Sequence, residues 1–154
     1  MTLAKDIMSS PAISIREDQS VKEALDLLAR HKISGLPVVD DDGKIVGIIS
    51  NTDVIRYSQQ KNVISQHSAS FWVSPYTDMD DIASIRKGFE MLHRTRVDQL
   101  MTRKVYSTSE ETSATDVAKL MNRRNVNRIP VVDASKKLVG IITRADMVKC
   151  MANL

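Results

Sequence analysis

The feature that most constrains this chain is an internal repeat. Residues 6–55 align without a gap on residues 99–148, at a constant offset of 93. The stretch LPVVDDDGKIVGIISNTD, from Leu36, pairs with IPVVDASKKLVGIITRAD, from Ile129. Pro37/Pro130, Asp40/Asp133, Gly47/Gly140 and Asp53/Asp146 all hold register, as does most of the aliphatic framework between them. Chance similarity does not keep Pro, Gly and Asp aligned together without gaps. The chain is a duplication, and a duplication fixes the architecture before any single element is read.

Each copy has the same order of elements. A short apolar segment, residues 12–15 or 105–108, leads into a helix capped by Ser20 or Ser113. An acid follows three residues later (Glu23, Asp116), at capping-box spacing. The first helix is predicted to bury Val21, Ala24, Leu25 and Leu28, and its counterpart Val117, Leu120 and Met121. Two strands follow, 36–39 and 45–49, joined by a turn over 40–44 that contains Gly43; their counterparts are 129–132 and 138–142. The second strand of each pair is apolar at nearly every position, which predicts burial on both faces. A second helix begins after Ser50 or Thr143. The expected fold is α+β, from two β-α-β-β-α repeats. Units of about fifty residues bury little surface alone, so the repeats should pack sheet to sheet. The division expected is repeat 1 over 1–57, a linker over 58–97 and repeat 2 over 98–154. Within the linker, 59–77 predicts a loop carrying Phe71, Trp72 and Tyr76. Residues 78–96 predict a helix with Ile82, Ile85, Phe89 and Leu92 on one side.

Composition removes several classes of function. Aromatic residues make up only 4%, so the core must be aliphatic, with Met8, Met101, Met121, Met147 and Met151 as gap-fillers. No apolar run approaches the roughly 20 residues that span a bilayer. The N-terminal stretch MTLAKDIMSSP lacks the apolar core of a signal peptide. Cys150 is the single cysteine, which excludes an intrachain disulfide and fits a reducing, cytoplasmic setting. A net charge of +3, with dispersed basic residues and few aromatics among them, argues against a nucleic-acid partner. His31, His67 and His93 have no Cys or acid at metal-ligand spacing, so no metal is expected. Cys150 has no evident His partner, no phosphate-binding glycine loop occurs, and no acid/base pair stands at usable spacing. An enzyme is not the expected reading.

Two βαββα units, each with an "h-P-V-V-D" strand and a "G-h-h-[ST]-x-x-D" ending, resemble a pair of CBS domains, also called a Bateman module. The resemblance covers both copies but not the segment between them. It implies a pseudo-twofold pair with clefts between the repeats, where many members hold AMP, ADP, ATP or S-adenosylmethionine as a regulatory ligand. It also implies homodimers formed through helices, with Met147, Val148 and Met151 as candidates for that contact.

The resemblance directs attention to Ser50 and Asp53, and to Thr143 and Asp146, where a strand feeds a helix. The plain reading is a capping box in each copy. The reading the resemblance implies has the acid accepting hydrogen bonds from ribose hydroxyls, beside free amides suited to a phosphate. The two readings are compatible. Arg128, after Asn127, is where the resemblance implies a phosphate contact, and an Arg binds phosphate oxygens in a bidentate fork. The first copy has Gly35 there, so one competent and one degenerate site are expected; a solvated Arg128 is the alternative. Ile33, Leu36, Val126, Ile129 and Pro130 would line an adenine pocket or simply be core. Backbone at Ala12, Ile13, Val105 and Tyr106 would read the adenine edge, and the Tyr106 ring would stack on it. The function expected is a non-catalytic sensor of an adenine nucleotide. The alternative is a protein-interaction module with empty clefts, docking an unidentified partner through Phe71, Trp72 and the linker helix.

Overall fold

The computed structural model describes residues 1–60 and 79–153. Its elements run α1 (Ala4–Ile7), β1 (Ile15–Arg16), α2 (Val21–His31), β2 (Gly35–Val39), β3 (Ile45–Ser50) and α3 (Asn51–Gln60). They continue with α4 (Met79–Arg94), a 3-10 turn at Val97–Gln99, β4 (Thr108–Ser109), α5 (Ala114–Arg124), β5 (Arg128–Val132), β6 (Leu138–Thr143) and α6 (Arg144–Ala152). Two three-stranded sheets result, in the orders β1-β2-β3 and β4-β5-β6. Among the described residues no helix is long and apolar enough to cross a membrane.

Local signals set most boundaries. The Ser20 hydroxyl accepts from the Glu23 amide and Glu23 reaches back to the Ser20 amide, closing the capping box that starts α2. Ser113 caps α5 in the same way, but Asp116 does not reach back; its carboxylate lies 3.7 Å from Lys119 Nζ. Both helices end on a residue in the left-handed region, Lys32 (φ 53°) and Asn125 (φ 52°). The aspartate of each P-V-V-D strand makes the turn that follows it. Asp40 Oδ1 accepts from the amides of Asp42 and Lys44, and Asp133 Oδ1 from those of Ser135 and Lys137.

Several sequence expectations are corrected. The first strand of each copy is only two residues long and begins later than residues 12 and 105, leaving Ala12, Ile13, Val105 and Tyr106 in irregular backbone. The middle strand β2, not β3, is buried throughout, while β3 and β6 bury only Gly47, Ile49, Gly140 and Ile142. The order of strands explains this: β3 and β6 lie at the edge of their sheets. Leu25 and Leu120 are half-buried rather than core, and Met151 is 69% exposed, so it fills no gap. Met147 packs partly buried against the core of its unit, which leaves Val148 and Met151 as the outward apolar residues of α6. The linker helix is described over Met79–Arg94, with Leu92 buried; the expected loop with Phe71, Trp72 and Tyr76 lies outside the described residues.

The compact units do not follow the two sequence repeats. One consists of Met1–Ser14, Val39–Val46 and Lys104–Leu154. In it, Ala4, Val117, Met121, Ile129, Val131 and Ile142 form the core. The N-terminal segment is stitched in by Ala4 N–H to Thr112 O (2.7 Å), Ala114 N–H to Thr2 O (2.9 Å) and a reciprocal pair between Ser9 and Ile141 (2.9 and 3.1 Å). The other unit consists of Ile15–Val38 and Gly47–Arg103. Its core includes Val21, Ala24, Leu28, Leu36, Val38, Ile49 and Val97, with α4 packed on α2. Here the residues leading into repeat 2 are stitched in, by Val21 N–H to Thr95 O (2.8 Å), Val97 N–H to Gln19 O (2.8 Å) and a reciprocal pair between Thr102 and Ile48 (2.8 and 2.9 Å). These are the same bonds at an offset of 93. Each repeat's lead-in segment thus completes the unit built on the other repeat's second strand, covering an edge that would otherwise present unpaired backbone groups.

Both glycines of the repeated G-h-h motif serve this stitch. A Cβ on Gly47 would meet Met101 Sδ at 2.6 Å and Thr102 O at 3.0 Å, and one on Gly140 would collide with the Met8 sulfur. Only a residue without a side chain lets the lead-in backbone approach so closely.

Candidate functional site

In the unit containing α6, the antiparallel register of β5 and β6 sets Arg128 directly across from Thr143. Thr143 is the last residue of β6 and the N-cap of α6. Its hydroxyl accepts from the Asp146 amide (3.3 Å), and Asp146 Oδ2 accepts from the Thr143 amide (2.8 Å) and hydroxyl (2.9 Å). The Arg144 amide donates to Asn127 O at 3.0 Å, which ties the start of β5 to the start of α6. Thr143, Asp146, Asn127 and Arg128 are therefore held together by backbone geometry. The other carboxylate oxygen, Asp146 Oδ1, has no hydrogen-bond or ion-pair partner among the described residues.

Asp146 also lines a polar cavity of about 320 Å³ with Asp6, Met8, Ser9, Lys149 and Cys150. The lead-in segment that supplies Met8 and Ser9 carries no sequence signal for a site. It becomes part of the surroundings of Asp146 only through its pairing with Ile141.

The remaining expected residues of this unit divide by burial. Ile129 and Pro130 are fully buried and belong to the core. Ala12, Val105 and Val126 are half-buried, and Ile13 is 36% exposed. The Tyr106 ring packs partly buried against the core, with the Arg124 guanidinium 4.8 Å and Lys104 Nζ 5.8 Å from its centroid. Those two cations favour the π-face through the ring quadrupole.

The other unit repeats the box with a different outcome. Asp53 Oδ2 accepts from the Ser50 amide (2.9 Å) and hydroxyl (3.0 Å), and the Asn51 amide donates to Ser34 O (3.1 Å). Here the second oxygen is engaged. Thr102 Oγ1 donates to Asp53 Oδ1 at 2.9 Å, and Arg56 lies 3.6 Å from the same oxygen. Asp53 is only 6% exposed. Gly35 is buried at the position of Arg128, and Leu36 is fully buried core. Ile33 instead lines an apolar groove between α2 and α3 with Leu25, Leu28, Ala29, Val54 and Ile55. Thr102 and Arg56 are the residues that sequence reasoning missed; the signal was that Thr102 falls where repeat 1 carries Ser9, and Arg56 where repeat 2 carries Lys149.

His31 and His93 are exposed at helix ends, and His67 lies outside the described residues. Among the described residues no three His, Cys, Asp or Glu side chains converge as a metal site would require.

Comparison with known proteins bears on the family and the fold. The CBS domain profile matches twice, over residues 4–60 and 97–153. The chain is 34% identical over 153 residues to an uncharacterized protein of Methanocaldococcus jannaschii, covering 97% of this chain and 90% of that one. It is 30% identical to the L-aspartate semialdehyde sulfurtransferase of the same organism, but spans only 23% of that longer protein. Among solved structures, CBSX2 in complex with AMP superposes with a TM-score of 0.72 at 27% identity, covering 99% of this chain and 98% of that one. The CBS domain pair of protein MJ0100, in complex with 5-methylthioadenosine and S-adenosyl-L-methionine, gives 0.70 at 30% identity, with 97% and 99% covered. The two profile matches, the duplicated βαββα pattern and the paired capping boxes lead to one conclusion: the chain belongs to the CBS domain family, as a tandem pair.

Proposed function

We propose that this chain is a non-catalytic regulatory module that binds an adenine nucleotide (AMP, ADP, ATP or S-adenosylmethionine) at the start of α6. The observation that carries the reading is Asp146 Oδ1, without a hydrogen-bond or ion-pair partner among the described residues, in a carboxylate whose other oxygen is bonded to Thr143, the residue paired with Arg128 across β5 and β6. A carboxylate already fixed through its other oxygen is a pre-oriented acceptor for ribose hydroxyls. The Arg128 guanidinium suits the phosphate, or the carboxylate of a methionyl group. Backbone at Ala12, Ile13, Val105 and Tyr106 lies in irregular segments, and in this reading it meets the adenine edge. Solved relatives of the same fold hold AMP, or S-adenosylmethionine with methylthioadenosine. Such a ligand regulates only by binding one conformation more tightly than another. We place that conformational change in a homodimer, with Val148 (65% exposed) and Met151 (69%) of α6 at the contact.

A thermal-shift series with the four nucleotides tests the reading. At about 100 times its dissociation constant, the true ligand adds roughly 2.7 kcal/mol. For a chain of this size that is a rise of roughly 5–10 °C in Tm. No shift with any of the four, together with no nucleotide in the supernatant of denatured protein, refutes it.

A further inference from the structure

We infer that the two copies have divided their labour: Asp146 is the ligand carboxylate, whereas Asp53 is a structural clasp, so that the chain binds one nucleotide and not two. This deepens the nucleotide-binding reading and rests on it. Both aspartates spend one oxygen on an identical capping box, through Ser50 or Thr143. They differ in the second oxygen. That of Asp53 takes the Thr102 hydroxyl at 2.9 Å and faces Arg56 at 3.6 Å, in a residue 6% exposed. The counterparts of Thr102 and Arg56 are Ser9 and Lys149. Neither makes a hydrogen bond or ion pair with Asp146 among the described residues, and both instead line the cavity beside it.

The physical consequence is a competition that the first copy has already lost. A ribose hydroxyl approaching Asp53 must displace an internal donor and strip a charge partner, exchanging one hydrogen bond for another with little gain. At Asp146 the same hydroxyl meets an oxygen with no donor to displace among the described residues. Thr102 also belongs to the lead-in segment whose backbone pairs with Ile48, so its hydroxyl ties that segment to the start of α3. The clasp therefore holds the fold together where the open carboxylate does not.

The experiment has two arms on the full chain, comparing Asp53→Asn with Asp146→Asn. Without ligand, urea unfolding should show a lower midpoint for Asp53→Asn than for Asp146→Asn; equal midpoints, or the reverse order, overturn the clasp. Calorimetric titration with AMP, ADP, ATP and S-adenosylmethionine should give one equivalent per chain for the ligand that binds, weakened at least tenfold by Asp146→Asn. Asp53→Asn, with native circular dichroism, should stay within about threefold of the parent. Two equivalents, or loss of binding in Asp53→Asn alone, overturns the division while leaving the sensor reading intact. No binding by the parent chain to any of the four nucleotides refutes the sensor reading itself, whatever the unfolding arm shows.

Discussion

The sharpest test of how this fold is stitched is a single methyl group at Gly47. Gly47 has no positive φ, so its backbone tolerates alanine, and removing glycine's freedom from the unfolded chain would by itself stabilise by about 0.4–1 kcal/mol. Packing opposes this. The new Cβ would stand 2.6 Å from Met101 Sδ, 3.0 Å from its Cγ and 3.0 Å from Thr102 O. The thioether can swing aside, but the carbonyl cannot, because Thr102 is fixed by reciprocal bonds to Ile48 at 2.8 and 2.9 Å. Overpacking of this kind costs roughly 1–3 kcal/mol, and a weakened pair of backbone bonds adds about 1 kcal/mol. The expected net is destabilisation by about 2 kcal/mol, a fall of roughly 4–8 °C in Tm. Urea unfolding of Gly47→Ala, Met101→Ala and the double variant measures it. The double-mutant cycle should show coupling of about 1 kcal/mol, since truncating Met101 removes the nearer obstacle. A neutral or stabilising Gly47→Ala would refute the close approach on which this account of the swapped lead-in rests.

Three further outcomes follow from the same geometry. Lys136 sits at φ 65° where the first copy has Gly43. A left-handed non-glycine costs about 1–2 kcal/mol, and glycine's entropy returns part of that, so Lys136→Gly should raise stability by about 0.5–1 kcal/mol on thermal melting. Asp133→Ala removes the acceptor for two turn amides at 2.8 and 3.0 Å and should cost about 1–2 kcal/mol by urea midpoint, with Asp40→Ala similar. Deleting residues 1–9 takes Ala4 from the core and uncovers the edge at Ile141. Hydrogen exchange should then show the Ile141 amide losing protection while Ile48, paired with Thr102, keeps it.

Much of this molecule is legible in the sequence because the signals are local and appear twice. The offset of 93 identifies the duplication, Ser20 and Ser113 mark the starts of their helices, and Thr143 with Asp146 spells the box that opens α6. The strand expected over residues 45–49 is less buried than its apolar run suggests, for a physical reason. An apolar run reports hydrophobicity, not position in a sheet, and β3 is an edge strand whose exposure is relieved by the lead-in of the other repeat.

The sequence alone determined that two equivalent βαββα units exist and which residues begin their helices, since capping and turn chemistry act over three or four positions. Only the tertiary structure decided which lead-in segment completes which unit. Because the copies carry the same pattern, pairing a segment with its own repeat or with the other looks identical in sequence; closeness of approach at Gly47 and Gly140 distinguishes them. That choice also decided the fate of the two aspartates. It delivered Thr102 to Asp53 and only Ser9 to the neighbourhood of Asp146, turning one copy of the repeated box into a clasp and leaving the other open among the described residues.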